Sequence, residues 1–251
     1  MKNESKETSP TACIEKLLIL IRHGERIDRT GIIPKCGIMN PELSDRGKLQ
    51  SFESSKILIE NIKKYGVKIS PNLIQIRSSP YMRTIQTSAQ LLKGLNLILV
   101  NNKKEKIKIL NKVIIDFGLR KRIKPEKIFE KKDILYTSVD KYTNFDEEIK
   151  NIEFIGDNGD FPLDKETNEQ CKKRSLDYLN NILKKELDNK DNLYNIIIII
   201  GHRGPMKYIL KKLGFTIVDI KKMDYCSQFL FDVSKGIDNS RVLETITINN
   251  I

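Results

Sequence analysis

Only two histidines occur in the 251-residue chain, His23 and His202. Each lies two residues beyond an apolar run, His23 after Leu17–Ile21 and His202 after Ile196–Ile200. Arginines accompany them. Arg22 and Arg26 flank His23, and Arg83 lies in Ser78-Ser-Pro-Tyr-Met-Arg-Thr, just beyond a third apolar run. Guanidinium groups match phosphate oxygens in fixed bidentate geometry. A neutral imidazole among such cations can attack phosphorus, because the cations offset the charge that repels a nucleophile. These five side chains therefore form a candidate phosphate-handling set. Read singly, each also fits an ordinary loop or surface residue.

The elements that must position them follow from apolar periodicity. Lys16–Arg22 and Tyr194–Ile200 read as buried strands, as does Leu73–Ile76. Arg22–Pro41 is rich in glycine and proline and reads as a loop. Ser44 is a candidate N-cap for a helix reaching Tyr65 and stopped by Gly66. Ser79-Pro80 opens a second helix, expected to end at Gly94. Leu97–Val100, Ile107–Leu110 and Val113–Ile115 read as β-like runs. Phe117 to about Pro162 has weak periodicity and reads as an inserted flap with one helix, Pro125–Lys132. A long helix is expected over Lys165–Leu187, with Thr167 as one cap, and another over Gly204–Leu213, stopped by Gly214. Phe229–Val233 and Val242–Ile248 close the sheet. This alternation predicts a three-layer α/β sandwich around a mostly parallel sheet, with an inserted flap. Parallel strands would bring both histidines to the carboxyl edge, where such sheets bind ligands. Residues 1–15 read as a disordered polar arm, and 16–251 as one domain with its flap at about 117–162.

Composition narrows the function classes. Hydrophobic residues make up 39% of the chain and charged residues 31%, and the net charge is +12. With a mean hydropathy of −0.40, the chain reads as a soluble, cytoplasmic protein. Positive charge favours anionic partners: phosphorylated small molecules or phosphopeptides. No nucleic-acid motif accompanies the charge, and no apolar run is long enough to span a membrane. Cys13, Cys36, Cys171 and Cys226 are dispersed and read as reduced thiols. With two histidines, no zinc cage is expected, and no metal or other cofactor. A homodimer is compatible with the sequence.

Leu20-Ile-Arg-His-Gly-Glu-Arg-Ile-Asp28, Ser78-Ser-Pro-Tyr-Met-Arg-Thr-Ile-Gln-Thr87 and the later Gly201-His202 together resemble the histidine phosphatase (phosphoglycerate mutase-like) superfamily. The likeness extends over about Lys16–Gly214. The run Arg22–Asp28 is most similar to the suppressor-of-T-cell-receptor-signalling phosphatase branch. The resemblance implies that His23 is the nucleophile and becomes phosphohistidine. Arg22, Arg83 and His202 would complete the phosphate pocket, and Arg26 would add a further substrate-binding arginine. The family's acid is usually a glutamate in a stretch that Ile114-Ile-Asp-Phe-Gly-Leu119 resembles, so Asp116 becomes the candidate proton donor, one methylene short. Glu25 is the alternative.

The resemblance favours a metal-independent phosphomonoesterase, because tryptophan and the mutases' Glu-Arg-His-Tyr-Gly run are both absent. Two other readings stand beside it: a phosphate-recognition or scaffold protein with weak turnover, and a mutase-type phosphotransferase. The basic run Arg120-Lys-Arg-Ile-Lys124 reads either as a solvated loop or as an attractor of multiply charged substrates.

Overall fold

The structure, a computed structural model, describes residues 14–101, 110–125, 146–156, 164–188, 193–221 and 223–247. Seven strands form one sheet: β1 Leu17–Arg22, β2 Ile74–Ser78, β3 Lys112–Ile115, β4 Glu153–Gly156, β5 Ile196–Gly201, β6 Gln228–Asp232 and β7 Arg241–Ile246. Their order is β4-β3-β2-β5-β1-β6-β7. The first five run parallel, and β6 and β7 are antiparallel additions at one edge. β1 and β5 are continuous apolar runs because both faces are covered.

Alternate residues of these two strands feed different cores. Leu17, Ile19, Ile21, Ile196, Ile198 and Ile200 meet α1 (Asp45–Lys64) and α2 (Met82–Asn101). Leu18, Leu20, Ile197 and Ile199 pack with a π-helical turn over Tyr178–Leu183 and with α5 (Arg203–Lys212), against which α3 (Asn168–Asp177) lies. Two short helices, α4 (Lys184–Asp188) and α6 (Ile217–Lys221), complete the second layer. The predicted three-layer sandwich is thus the observed architecture.

Several expectations are corrected. α2 does not stop at Gly94 but runs to Asn101, so Leu97–Val100 is helical. Gly94 sits within the helix because α1 crosses there. A Cβ would lie 2.9 Å from the Phe52 carbonyl oxygen and 2.8 Å from Ser55 Cβ. The stretch read as flap contributes β4 to the sheet edge, where exposed residues leave no apolar pattern to read. The long helix of Lys165–Leu187 begins at Asn168, under a complete Thr167–Gln170 capping box, and is interrupted by the π-turn. Ile14, assigned to the polar arm, is buried in the first core. The helix expected over Pro125–Lys132 lies outside the described residues, apart from Pro125.

Among the described residues, no helix is long and apolar enough to cross a membrane. Cys36, Cys171 and Cys226 are buried free thiols, and Cys13 lies outside the described residues.

Candidate active site

The parallel register aligns the strand ends. Arg22 pairs with Gly201, and Ser78 pairs with both Ile200 and Ile115. The ladder continues one step past each strand: His23 N–H donates to the Gly201 carbonyl (3.1 Å), Ser79 N–H to Ile200 (3.1 Å), and Asp116 N–H to Ser78 (2.9 Å). His23, Ser79, Asp116 and His202 are therefore placed by backbone at one edge of the sheet.

The loop after β1 is anchored by close packing. A Cβ on Gly24 would lie 2.4 Å from the Gly47 carbonyl oxygen, and a Cβ on Gly47 would lie 2.1 Å from the Glu25 carbonyl oxygen. Ser44 caps α1 by accepting from Gly47 N–H, and its hydroxyl donates to Glu25 Oε2 at 2.8 Å. Glu25 thereby joins the α1 cap to the His23 loop. It does not line the cavity described next.

One open cavity of about 410 Å³ brings together five of the six predicted side chains: Arg22, His23, Arg26, Arg83 and His202. Its volume lies in the range of small-molecule sites. The imidazoles of His23 and His202 are buried, with centroids 5.2 Å apart at 62°. His23 Nδ1 lies 2.8 Å from the Gly24 carbonyl oxygen. A carbonyl only accepts, so Nδ1 carries the hydrogen and the neutral ring keeps its lone pair on Nε2. Burial, followed by the charges of Arg83 and Arg22, pushes the His23 pKa well below its ordinary 6.5. His202 is lowered in the same way, by burial first and then by Arg83 and His23. Arg83 Nη2, which can only donate, lies 3.3 Å from His202 Nδ1. His202 Nε2–H then donates to Ser79 Oγ at 2.8 Å. Each ring thus has a defined tautomer.

The arginines are held by different means. Arg83 is fully buried at the start of α2 and stacks on Tyr81 at 4.6 Å. Arg22 lies 4.2 Å over the Tyr225 ring and donates from Nη1 to the Met223 carbonyl at 2.8 Å. Its Nε is buried without an acceptor among the described residues. Arg26 is gripped by both carboxylate oxygens of Asp28, which also lines the cavity. The N-terminus of α5 adds Arg203 and Gly204 to the wall, and a helix start carries positive potential and free N–H donors.

Asp116 is set apart from this group. It is not among the residues lining the cavity. Its carboxylate accepts from Arg77 Nη1 at 2.9 Å and from the Tyr178 hydroxyl at 2.9 Å. Arg77 in turn pairs with Glu186 and Gln75. Burial and the Asp116 charge raise the Tyr178 pKa well above 10, so the phenol stays protonated and donating.

Ser79, Asp28, Ile38, Met39 and Arg203 escaped the sequence reading. Ser79 lies inside the quoted motif and Arg203 beside His202, so proximity was a usable clue. Ile38 and Met39 sit in a glycine- and proline-rich loop with no pattern to mark them. Lys121, Arg122, Ile123 and Lys124 also line the cavity, so the start of the predicted flap does reach the site.

The sequence matches no family model and no curated protein. The fold is similar to that of solved structures. The crystal structure of the ecdysone phosphate phosphatase from Bombix mori, in complex with tungstate, aligns at 15% identity and a TM-score of 0.58. It covers 94% of this chain and 96% of that one. A candidate alpha-ribazole-5'-P phosphatase from Escherichia coli aligns at 15% identity and a TM-score of 0.51, over 91% and 95% of the two chains. A structure described as mycobacterial hydrolase 1 aligns at 14% identity and a TM-score of 0.50, over 91% and 97%. The seven-stranded, mostly parallel sheet flanked by helices matches the histidine phosphatase fold.

Proposed function

We propose that the protein is a metal-independent phosphomonoesterase of the histidine phosphatase superfamily, acting through a phosphohistidine on His23. The observation that carries this reading is the fixed tautomer of a buried, neutral His23 with its Nε2 lone pair among Arg22, Arg26 and Arg83. In the first step Nε2 bonds to phosphorus as the ester P–O bond breaks, and the leaving oxygen takes a proton from solvent water, which the proton released in the second step replaces. In the second, water attacks the phosphohistidine and releases phosphate and the free imidazole. Arg83 and Arg22 stabilise the charge on the transferring phosphoryl oxygens, the part a metal plays elsewhere. His202 holds Arg83 and Ser79 in register beside the nucleophile.

The run Arg22–Asp28 supports placing the chain nearest the suppressor-of-T-cell-receptor-signalling branch, since the paired Arg26 and Asp28 both sit at the cavity. Small phosphorylated molecules fit the cavity volume better than a broad protein surface. Among the described residues the one carboxylate lining the cavity, Asp28, is engaged by Arg26, and Asp116 is engaged by Arg77. Aryl esters, whose leaving groups depart with little protonation, are therefore the expected best substrates.

The test is His23→Ala with para-nitrophenyl phosphate and vanadate. Activity should vanish while the fold persists. Rapid acid-free quenching of the native protein should trap a base-stable phosphoryl group on His23. A His23→Ala protein with native turnover would overturn the assignment. Activity abolished by EDTA and restored by Mg²⁺ would overturn metal independence.

A further inference from the structure

We infer that Tyr225 is a positioning residue: its ring, carried on a tight turn at 224–227, holds the Arg22 guanidinium so that its Nε–H is kept for the transferring phosphoryl group. This rests on the phosphatase reading and deepens it. Arg22 ends β1 and lines the cavity. One end of its guanidinium is occupied, because Nη1 donates to the Met223 carbonyl at 2.8 Å. The Tyr225 ring centroid lies 4.2 Å from Cζ, within the reach of a cation–π contact. With one end and one face held, the group cannot swing away. Nε is left buried without an acceptor among the described residues. An unmade buried donor is costly, and a phosphoryl oxygen supplies the acceptor it lacks. The same Tyr225 ring stands 5.8 Å from the His23 ring, so it flanks the proposed nucleophile and its arginine together.

The turn that carries Tyr225 is built to hold one shape. Asp224 N–H donates to Ser227 Oγ at 2.8 Å, and Ser227 N–H returns to the Asp224 carbonyl at 3.2 Å. The turn also clasps the backbone of Arg22 from both sides. Arg22 N–H donates to the Ser227 carbonyl, and Cys226 N–H donates to the Arg22 carbonyl. Between them Cys226 adopts a left-handed conformation, φ 57°, the one positive φ at a non-glycine among the described residues. Such a conformation persists only where the surroundings over-determine it, and it gathers at functional sites. Here the surroundings are α1: the Cys226 side chain is buried, with Sγ 3.6 Å from Ser51 Oγ, and Ser51 is tied to the Gly47 carbonyl. Tyr225 itself is half-exposed and belongs to neither hydrophobic core. A ring placed only for packing would sit in one of them. This ring faces a cation and an imidazole at the edge of the sheet.

The test is a double-mutant cycle on the full chain, read as vanadate affinity by calorimetry and as kcat and KM for para-nitrophenyl phosphate. Tyr225→Leu should lower both vanadate affinity and kcat about tenfold, the scale of a desolvated cation–π contact. KM should move by less than about twofold, because the arginine is held for charge that develops in the transition state. Tyr225→Phe keeps the ring face and should recover most of the loss. In an Arg22→Ala background, Tyr225→Leu should cost less than about twofold, since no guanidinium remains to be positioned. Where Tyr225→Leu does not fold, Tyr225→Gln carries the same cycle. A loss that persists undiminished in the Arg22→Ala background would overturn the positioning role and leave the phosphatase reading standing. So would a lowered melting temperature with vanadate affinity and kcat intact. Coupling seen in vanadate affinity, in a protein that does not turn over para-nitrophenyl phosphate, would overturn the phosphatase reading and keep the positioning role. Neither vanadate binding nor turnover in the native protein would overturn the two together.

Discussion

Asp116 shows how much a single side chain depends on what surrounds it. The resemblance offers it as the proton donor, and the backbone ladder does bring it to the correct sheet edge. Its carboxylate, however, sits with Arg77 and Tyr178, contributed from β2 and from the π-turn, and outside the lining of the cavity. Removing one member of a buried ion pair leaves the other charge uncompensated, at a cost on the order of 3–5 kcal/mol. Asp116→Asn should therefore lower stability by an amount of that order, read as a urea midpoint. Its effect on kcat/KM should be the same for para-nitrophenyl phosphate and for an alkyl ester such as phosphoserine. A loss confined to the alkyl ester would instead show Asp116 delivering a proton to poor leaving groups.

At the scale of elements, the His23 loop takes its shape from α1. Gly24 and Gly47 let the loop and the first turn of the helix approach to backbone contact. Gly47→Ala would place a Cβ 2.1 Å from the Glu25 carbonyl oxygen, and that atom belongs to the loop carrying His23 and Arg26. Overpacking of this kind costs about 1–3 kcal/mol. The expected outcome is a lower melting temperature together with a fall in kcat, since the displaced backbone is the one that receives His23 Nδ1–H. A change in stability with kcat intact would show that the loop keeps its geometry independently of α1. The same elements explain what was legible in the sequence. β1 and β5 announce themselves because both faces are buried, and the histidines and arginines follow because they stand just past strand ends. Gly94 misled because its role is interhelical contact, which no local pattern encodes. β4 stayed hidden because its residues are largely exposed. The place of the basic run at 120–124 in the cavity depends on Glu166 and Arg174, some 45–55 residues downstream. The partners that claim Asp116 are 39 and 62 residues away. Contacts at such separations leave no trace in periodicity.

For the whole molecule, the chemistry of the site sets the pH range over which the fold persists. His23 and His202 are buried and held neutral, their pKa values pushed well below 6.5 by burial first and then by neighbouring cations. In the unfolded chain both return to about 6.5. As pH falls through that value, the unfolded state takes up two protons that the folded state refuses, so unfolding becomes easier. The slope for two such groups approaches at most about 2.7 kcal/mol per pH unit. Glu166 acts in the same direction at lower pH. Burial opposes its ionisation, but the Arg174 fork and the charges of Arg174 and Arg120 outweigh burial and hold its pKa below 4.5. Its contribution is therefore fully present above about pH 4.5 and is lost as pH falls through the depressed folded value. Stability should accordingly decline in two stages on acidification, the first beginning near pH 6.5 and belonging to the histidines. Urea midpoints measured between pH 7.5 and 5 should show that first decline, and His202→Gln should remove about half of its slope, since one of two titrating groups is gone. Midpoints that stay level down to pH 5.5 would mean that the histidines are protonated within the fold. An imidazolium at His23 has no lone pair to offer phosphorus, so the same measurement bears on the proposed nucleophile as directly as on stability.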